Sequence, residues 1–209
     1  MSERLQAGSS RSLELDFWFE FASTYSYPAA ERVAGAAAAA GVGVRWRPFL
    51  LGPIFAAQGW NDSPFNIYPN KGRYMWRDLE RLCEEHGLGF KRPSVFPRKG
   101  LRAARIACLA AKEDWCAQFT RAVFVANFAE DREISDAGVL AEILSDLGRD
   151  AAAVTEASNT PANKERLRAQ TKEAKEHGIF GAPSFTVGKE LFWGNDRLGT
   201  ALAWSLGMH

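Results

Sequence analysis

Two serines with two residues between them, Ser23 and Ser26, stand in the stretch FEFASTYSYP, residues 19–28. The residues before them (Leu13, Leu15, Phe17, Phe19, Phe21) alternate as a strand does, and the run after them is rich in alanine. The spacing therefore puts two hydroxyls at a strand-to-helix corner. A dithiol redox motif would read Cys-x-x-Cys there. With serine in place of cysteine, the corner can cap a helix by accepting a hydrogen bond from its first N–H groups. Capping alone would explain Ser23, and facing a core or closing a turn would explain Ser26.

Three further stretches could do chemistry. In GAPSF, Pro183 opens a strand directly after Ala182, which a simple strand-entry proline would explain. In WGNDR, Trp193 and Gly194 close a strand; Asn195 and Asp196 can cap the next helix, or Asp196 can pair with Arg197. The segment from residue 55 to 72 holds Phe55, Trp60, Asn61, Phe65, Tyr68 and Lys71. Aromatic side chains in an irregular segment must pack on something, either a flat substrate or a neighbouring domain. Lys71, and Arg98, Lys99 and Arg102 of FPRKGLR, are cations that could meet an anionic group, though a lone lysine is by default solvated surface.

The elements that must position these residues can be read in order. Residues 13–21 predict a central strand, 25–40 a helix ending at Gly41, and 42–48 a second strand parallel to the first, a right-handed βαβ unit. Residues 60–72 read as an ordered loop and 73–87 as a helix. Helices are expected over 101–117, 118–129, 135–148 and 150–158, with Ser135 or Asp136 as a cap. Another runs from Pro161 to Gly178. The turn at Gly188-Lys189 joins two short strands into a hairpin, and a short helix follows. The order βαβ, helices, ββα predicts an α/β fold: a thioredoxin-like sheet domain (13–52 and 178–209) with an all-helical domain (53–177) inserted in it. Residues 1–12 are polar, without the apolar core of a secretory signal, and read as a disordered lead-in.

Composition narrows the function. The 209 residues are 46% hydrophobic and carry a net charge of +1, which argues against a nucleic-acid or anionic-membrane surface. No apolar run approaches the ~20 residues needed to span a bilayer. Cys83, Cys108 and Cys116 lie inside helical patterns with no Cys-x-x-Cys pair, and read as buried reduced thiols of a cytoplasmic protein. The three histidines lack ligand-spaced partners, so no metal site is expected.

FASTYSY, RWRPFLLGPIF, NIYPNKGRYMWRDLER, GIFGAPSF and LFWGNDRL occur in an order that resembles the 2-hydroxychromene-2-carboxylate isomerases and the kappa-class glutathione transferases. Both belong to the DsbA-like branch of the thioredoxin superfamily, and the resemblance spans about residues 13–206. It implies glutathione as cofactor and a role for Ser23 in holding its sulfur, since a helix start favours a thiolate. It implies a cis peptide before Pro183, glutathione contacts from Asn61, Lys71, Ala182, Pro183 and the Trp193–Asp196 segment, and an aromatic substrate near Phe55, Trp60, Phe65 and Tyr68. The implied reaction rotates the C=C bond of an aromatic conjugated keto-acid from cis to trans; glutathione transfer or peroxide reduction, or glutathione binding without catalysis, is the alternative. A homodimer is implied as well. Two departures from the family pattern stand out: Thr24 where proline is usual, and Pro28 early in the helix.

Overall fold

A computed structural model describes residues 13–208; the lead-in expected over residues 1–12 lies outside them. Strand β1 (Glu14–Phe19) leads through helix α1 (Ser26–Ala39) to β2 (Gly43–Pro48), which pairs with β1 in parallel. The chain returns as β3 (Ser184–Val187), antiparallel to β1, and β4 (Glu190–Trp193), antiparallel to β3. The sheet order is β2-β1-β3-β4. Between β2 and β3 come α2 (Leu51–Ala57), α3 (Pro64–Ile67), α4 (Pro69–Glu85), α5 (Leu101–Ala110), α6 (Cys116–Phe128), α7 (Ala137–Asp146), α8 (Ala151–Ser158) and α9 (Pro161–Glu176). After β4, a 3-10 turn (Asn195–Arg197) leads into α10 (Leu198–Ser205). This is the thioredoxin-like sheet with a helical insertion that the sequence predicts.

Strand β1 has neighbours on both edges and is buried from Leu15 to Phe19. Its alternating side chains serve two faces. Phe17 stacks on Phe185 at 5.5 Å and meets Trp46 edge-on at 5.2 Å, while Phe19 touches Phe124 of α6 at 6.2 Å. On the other face Trp18 packs with Phe49, Leu51, Ile54, Ala174 and Ile179, and its indole N–H donates to Thr186 Oγ1 at 3.0 Å. Asp16 lies opposite Arg45 in register, and the guanidinium donates to both carboxylate oxygens, at 2.8 and 2.7 Å. A buried acid in a central strand is thereby satisfied by its cross-strand neighbour.

The structure corrects the expected helix boundaries in two places. Residues 60–72 are not a continuous loop. Ser63 Oγ accepts from the Phe65 N–H at 3.3 Å, and Pro64 and Pro69 each occupy a first helical turn, so α3 and the start of α4 fall inside it. Proline and serine mark helix starts as readily as turns. The helix expected over 101–117 stops at Ala110, where the Glu113 N–H donates to the Ala110 carbonyl at 2.8 Å, and α6 begins at Cys116. Pro28 sits in the first turn of α1, where it has no i−4 hydrogen bond to lose.

Candidate functional site

The corner after β1 opens into a cleft of about 1070 Å³. One wall is the corner itself (Glu20 to Tyr25), and the others come from α2, residues 60–65, Lys71 of α4, residues 96–101, and Phe180–Ala182 with Trp193. Of the residues singled out in the sequence, Ser23, Phe55, Trp60, Asn61, Phe65, Lys71, Ala182 and Trp193 line this one space although up to 170 positions separate them in the chain (193 against 23). Tyr68, Pro183, Gly194, Asn195 and Asp196 lie outside the lining.

Ser23 does two things at once. Its Oγ accepts from the Ser26 N–H at 3.3 Å, a local cap, and donates to the Ala182 carbonyl at 2.7 Å. The second bond joins the corner to the Ala182–Pro183 peptide, which is cis. The Phe96–Pro97 peptide, in another wall of the cleft, is also cis. Ser26 is fully buried, lines no part of the cleft, and its Oγ has no hydrogen-bond partner among the described residues. Thr24, at the family's proline position, is buried with its hydroxyl on Met75 Sδ at 2.9 Å, which pins the corner to α4.

Three groups at the site went unnoticed in the sequence. Glu20 lines the cleft, its Oε2 accepting from the Ala22 N–H at 3.0 Å. Burial raises its carboxyl to about 7, against the smaller opposing pull of that N–H. The signal was present: an acid in the aromatic run FWFEF, next to the corner. Tyr25 donates from its hydroxyl to Asp78 Oδ2 at 2.9 Å and lies 6.2 Å from the Phe65 ring. Burial first, then the neighbouring Asp78, raise its pKa, so the phenol stays protonated. Phe180 packs against Trp193 in a tilted pair, ring centroids 4.7 Å apart, to form an aromatic rim. Gly181 lies beneath that rim, since a Cβ there would run into the Trp193 indole.

The cations separate by partner. Arg98 is buried in the cleft wall, where it donates to the Asn127 carbonyl and Oδ1 at 3.2 and 3.1 Å and pairs with the Asp131 carboxylate. The Ser94 N–H, then Arg98, hold Asp131 down at about 2. Asn127 in turn donates to the Phe21 carbonyl at 3.0 Å, so Arg98 braces the corner and is not available to a ligand. Arg102 lies away from the cleft, beside Ile106 and Leu140. Lys71 and Lys99 are the exposed lysines of the lining. Lys71 Nζ lies 4.9 Å over the Tyr68 ring. Beyond the rim, Asn195 is buried and accepts from Arg32 at 3.1 Å, while Asp196 faces solvent and pairs with Arg197 at 3.4 Å.

The three cysteines are buried and free, and none lines the cleft. Burial pushes Cys83 up to about 11 and Cys116 to about 12, with Cys108 raised in the same direction. None can serve as a thiolate here. Among the described residues, no group of three or more His, Cys, Asp or Glu is placed to hold a metal, and no helix is long and apolar enough to cross a membrane.

The DSBA-like thioredoxin domain family matches residues 14–203. A 2-hydroxychromene-2-carboxylate isomerase of Sphingobium xenophagum is 31% identical over 186 residues, covering 88% of this chain and 93% of that protein. Glutathione S-transferase kappa 2 of Caenorhabditis elegans is 27% identical over 200 residues, covering 87% of each. Among solved structures, a 2-hydroxychromene-2-carboxylate isomerase superposes with a TM-score of 0.83 at 28% identity, over 93% of this chain and 94% of that one.

Proposed function

The chain belongs to the DSBA-like thioredoxin family, among the 2-hydroxychromene-2-carboxylate isomerases, and we propose that it isomerises an aromatic conjugated keto-acid of the 2-hydroxychromene-2-carboxylate type with glutathione as cofactor. The observation that carries this reading is the 2.7 Å bond from Ser23 Oγ to the Ala182 carbonyl, which brings a helix-start hydroxyl and a strand-like backbone edge to one side of the cleft. Its donor set fits glutathione: a hydroxyl for the sulfur, backbone for the cysteinyl unit, and Lys71 with Asn61 for a carboxylate end. The volume of about 1070 Å³ stands at the top of the ~300–1,000 Å³ usual for one ligand. That leaves room for a second molecule beside the tripeptide.

Bound glutathione would supply a thiolate that adds reversibly to the conjugated C=C, making it a rotatable single bond. The protein has no thiolate of its own to offer, its cysteines being buried and raised. Ser23 exchanges its donation to Ala182 for one to the ligand sulfur, at the positive end of the α1 dipole. Phe55, Trp60 and Phe65 give the flat substrate an apolar wall, and Phe55 and Trp60 already lie 5.5 Å apart. With Lys71 on glutathione, Lys99 takes the substrate carboxylate.

Calorimetric titration of glutathione into wild type and Ser23→Ala tests the reading. Wild type is expected to bind, and the variant to lose about 10- to 100-fold in affinity, the usual worth of a hydrogen bond to a charged group. Wild type that binds no glutathione at millimolar concentration would falsify it. The kappa relative favours a second reading, glutathione transfer at the same site. Release of a stable glutathione adduct, with no trans keto-acid formed, would select it.

A further inference from the structure

We infer that Glu20 is the acid–base group of the ring-opening step, passing one proton between two oxygens of a cyclic hemiketal substrate; the assignment rests on the isomerase reading above. Glu20 follows β1 directly, and its main-chain carbonyl accepts from the Ser23 N–H at 2.9 Å, so the two side chains share one tight turn and one cleft. One carboxyl oxygen is fixed on the Ala22 N–H, and the other has no hydrogen-bond partner among the described residues. A Cβ on Gly100 would lie 3.3 Å from that second oxygen, so glycine at this position leaves the oxygen open toward the cleft.

Among the described residues Glu20 has no ion-pair partner. Arg98, in the neighbouring segment, is spent on Asn127 and Asp131. Lys99, Lys71 and Asp62 line the same cleft without a salt bridge to Glu20 among the described residues, and α6 meets the corner through Phe119, Phe124 and neutral Asn127. An unpaired acid in a largely apolar cleft is held near neutrality, where general acid–base catalysis is most effective.

The chemistry requires one such group. In the hemiketal, a hydroxyl and the ring oxygen share one carbon. Ionised Glu20 takes the hydroxyl proton, and the O–H pair becomes the π bond of the new carbonyl. The bond from that carbon to the ring oxygen breaks, and its electron pair leaves on the phenolic oxygen. Glu20 then returns the proton there. One proton moves from oxygen to oxygen, with no oxidation or reduction, and the opened keto-acid presents the C=C that must rotate.

The test compares wild type with Glu20→Gln and Glu20→Asp. Glu20→Gln is expected to bind glutathione in the calorimeter as wild type does, to lose about 10²- to 10⁴-fold in kcat, and to lack the wild-type limb near neutral pH. Glu20→Asp keeps a limb, moved to lower pH. Infrared titration of the free protein supplies a readout that needs no turnover: a protonated carboxyl band that fades near pH 7 and is missing from Glu20→Gln. The assignment is overturned if Glu20→Gln retains the wild-type rate and limb, or if that band is gone by about pH 5, the ordinary carboxylate range. Wild type that binds glutathione but opens no chromene ring overturns the isomerase reading along with it; an unchanged Glu20→Gln overturns this assignment alone.

Discussion

At the residue scale, the two serines that look equivalent in the sequence have different surroundings and should respond differently to mutation. Ser26 Oγ is buried with nothing to donate to among the described residues, a state that costs about 1–3 kcal/mol for a desolvated hydroxyl. Ser26→Ala should therefore unfold at the same temperature as wild type or higher, and should leave turnover unchanged; calorimetric melting with a rate assay checks both. Ser23 is the opposite case, bonded on both its donor and acceptor sides. The sequence could name both hydroxyls but not separate them, because capping and ligand contact use the same atom. Glu20 shows the converse limit. Its identity was visible in FWFEF, yet its surroundings, the room that Gly100 leaves beside it and the engagement of Arg98 elsewhere, come from residues about 80 positions away (100 against 20).

The elements that shape the cleft are held by close backbone approaches. In α4, a Cβ on Gly72 would run into the Phe65 carbonyl of α3, so glycine lets the two helices meet and sets Phe65 in the cleft wall. Gly72→Ala gains up to about 1 kcal/mol of helix propensity, but overpacking against backbone costs about 1–3 kcal/mol. The clash should win. A lower melting temperature and a raised KM for the aromatic substrate, with glutathione affinity little changed, is the expected result from thermal unfolding and steady-state kinetics. Most elements could be read from periodicity and caps. Asp136 accepts from the Gly138 and Val139 N–H groups at 2.6 and 3.2 Å, as its place before α7 predicts. Residues 60–72 could not be read that way, because α3 is a four-residue helix, too short to show a periodic face.

For the whole molecule, two carboxyls give the pH dependence of stability opposite slopes. Asp131, held at about 2 against an ordinary 3.8, binds its proton more weakly when folded, so its contribution is present above about pH 4 and lost as pH falls toward 2. Glu20, raised from 4.5 to about 7, binds its proton more tightly when folded, so stability declines as pH rises between those values. Urea unfolding across pH should show both limbs. Asp131→Asn should flatten the acid one and Glu20→Gln the neutral one, and a wild-type curve without the neutral limb would show that Glu20 is ionised like any surface acid.

The sequence alone did not determine α2, α3 or the break between α5 and α6; it determined the βαβ start, most of the helices and the closing hairpin. These follow from local rules of periodicity, caps and turns, with the corner motifs in their order along the chain. Only the tertiary structure decided which candidates meet. It placed Ser23 against Ala182, bound Arg98 to Asn127 and Asp131, turned Asp196 toward solvent and set Glu20 beside Ser23 in the cleft. Such meetings depend on contacts between residues distant in the chain. No local preference encodes them, because burial and distance exist only once the helices have closed around the sheet.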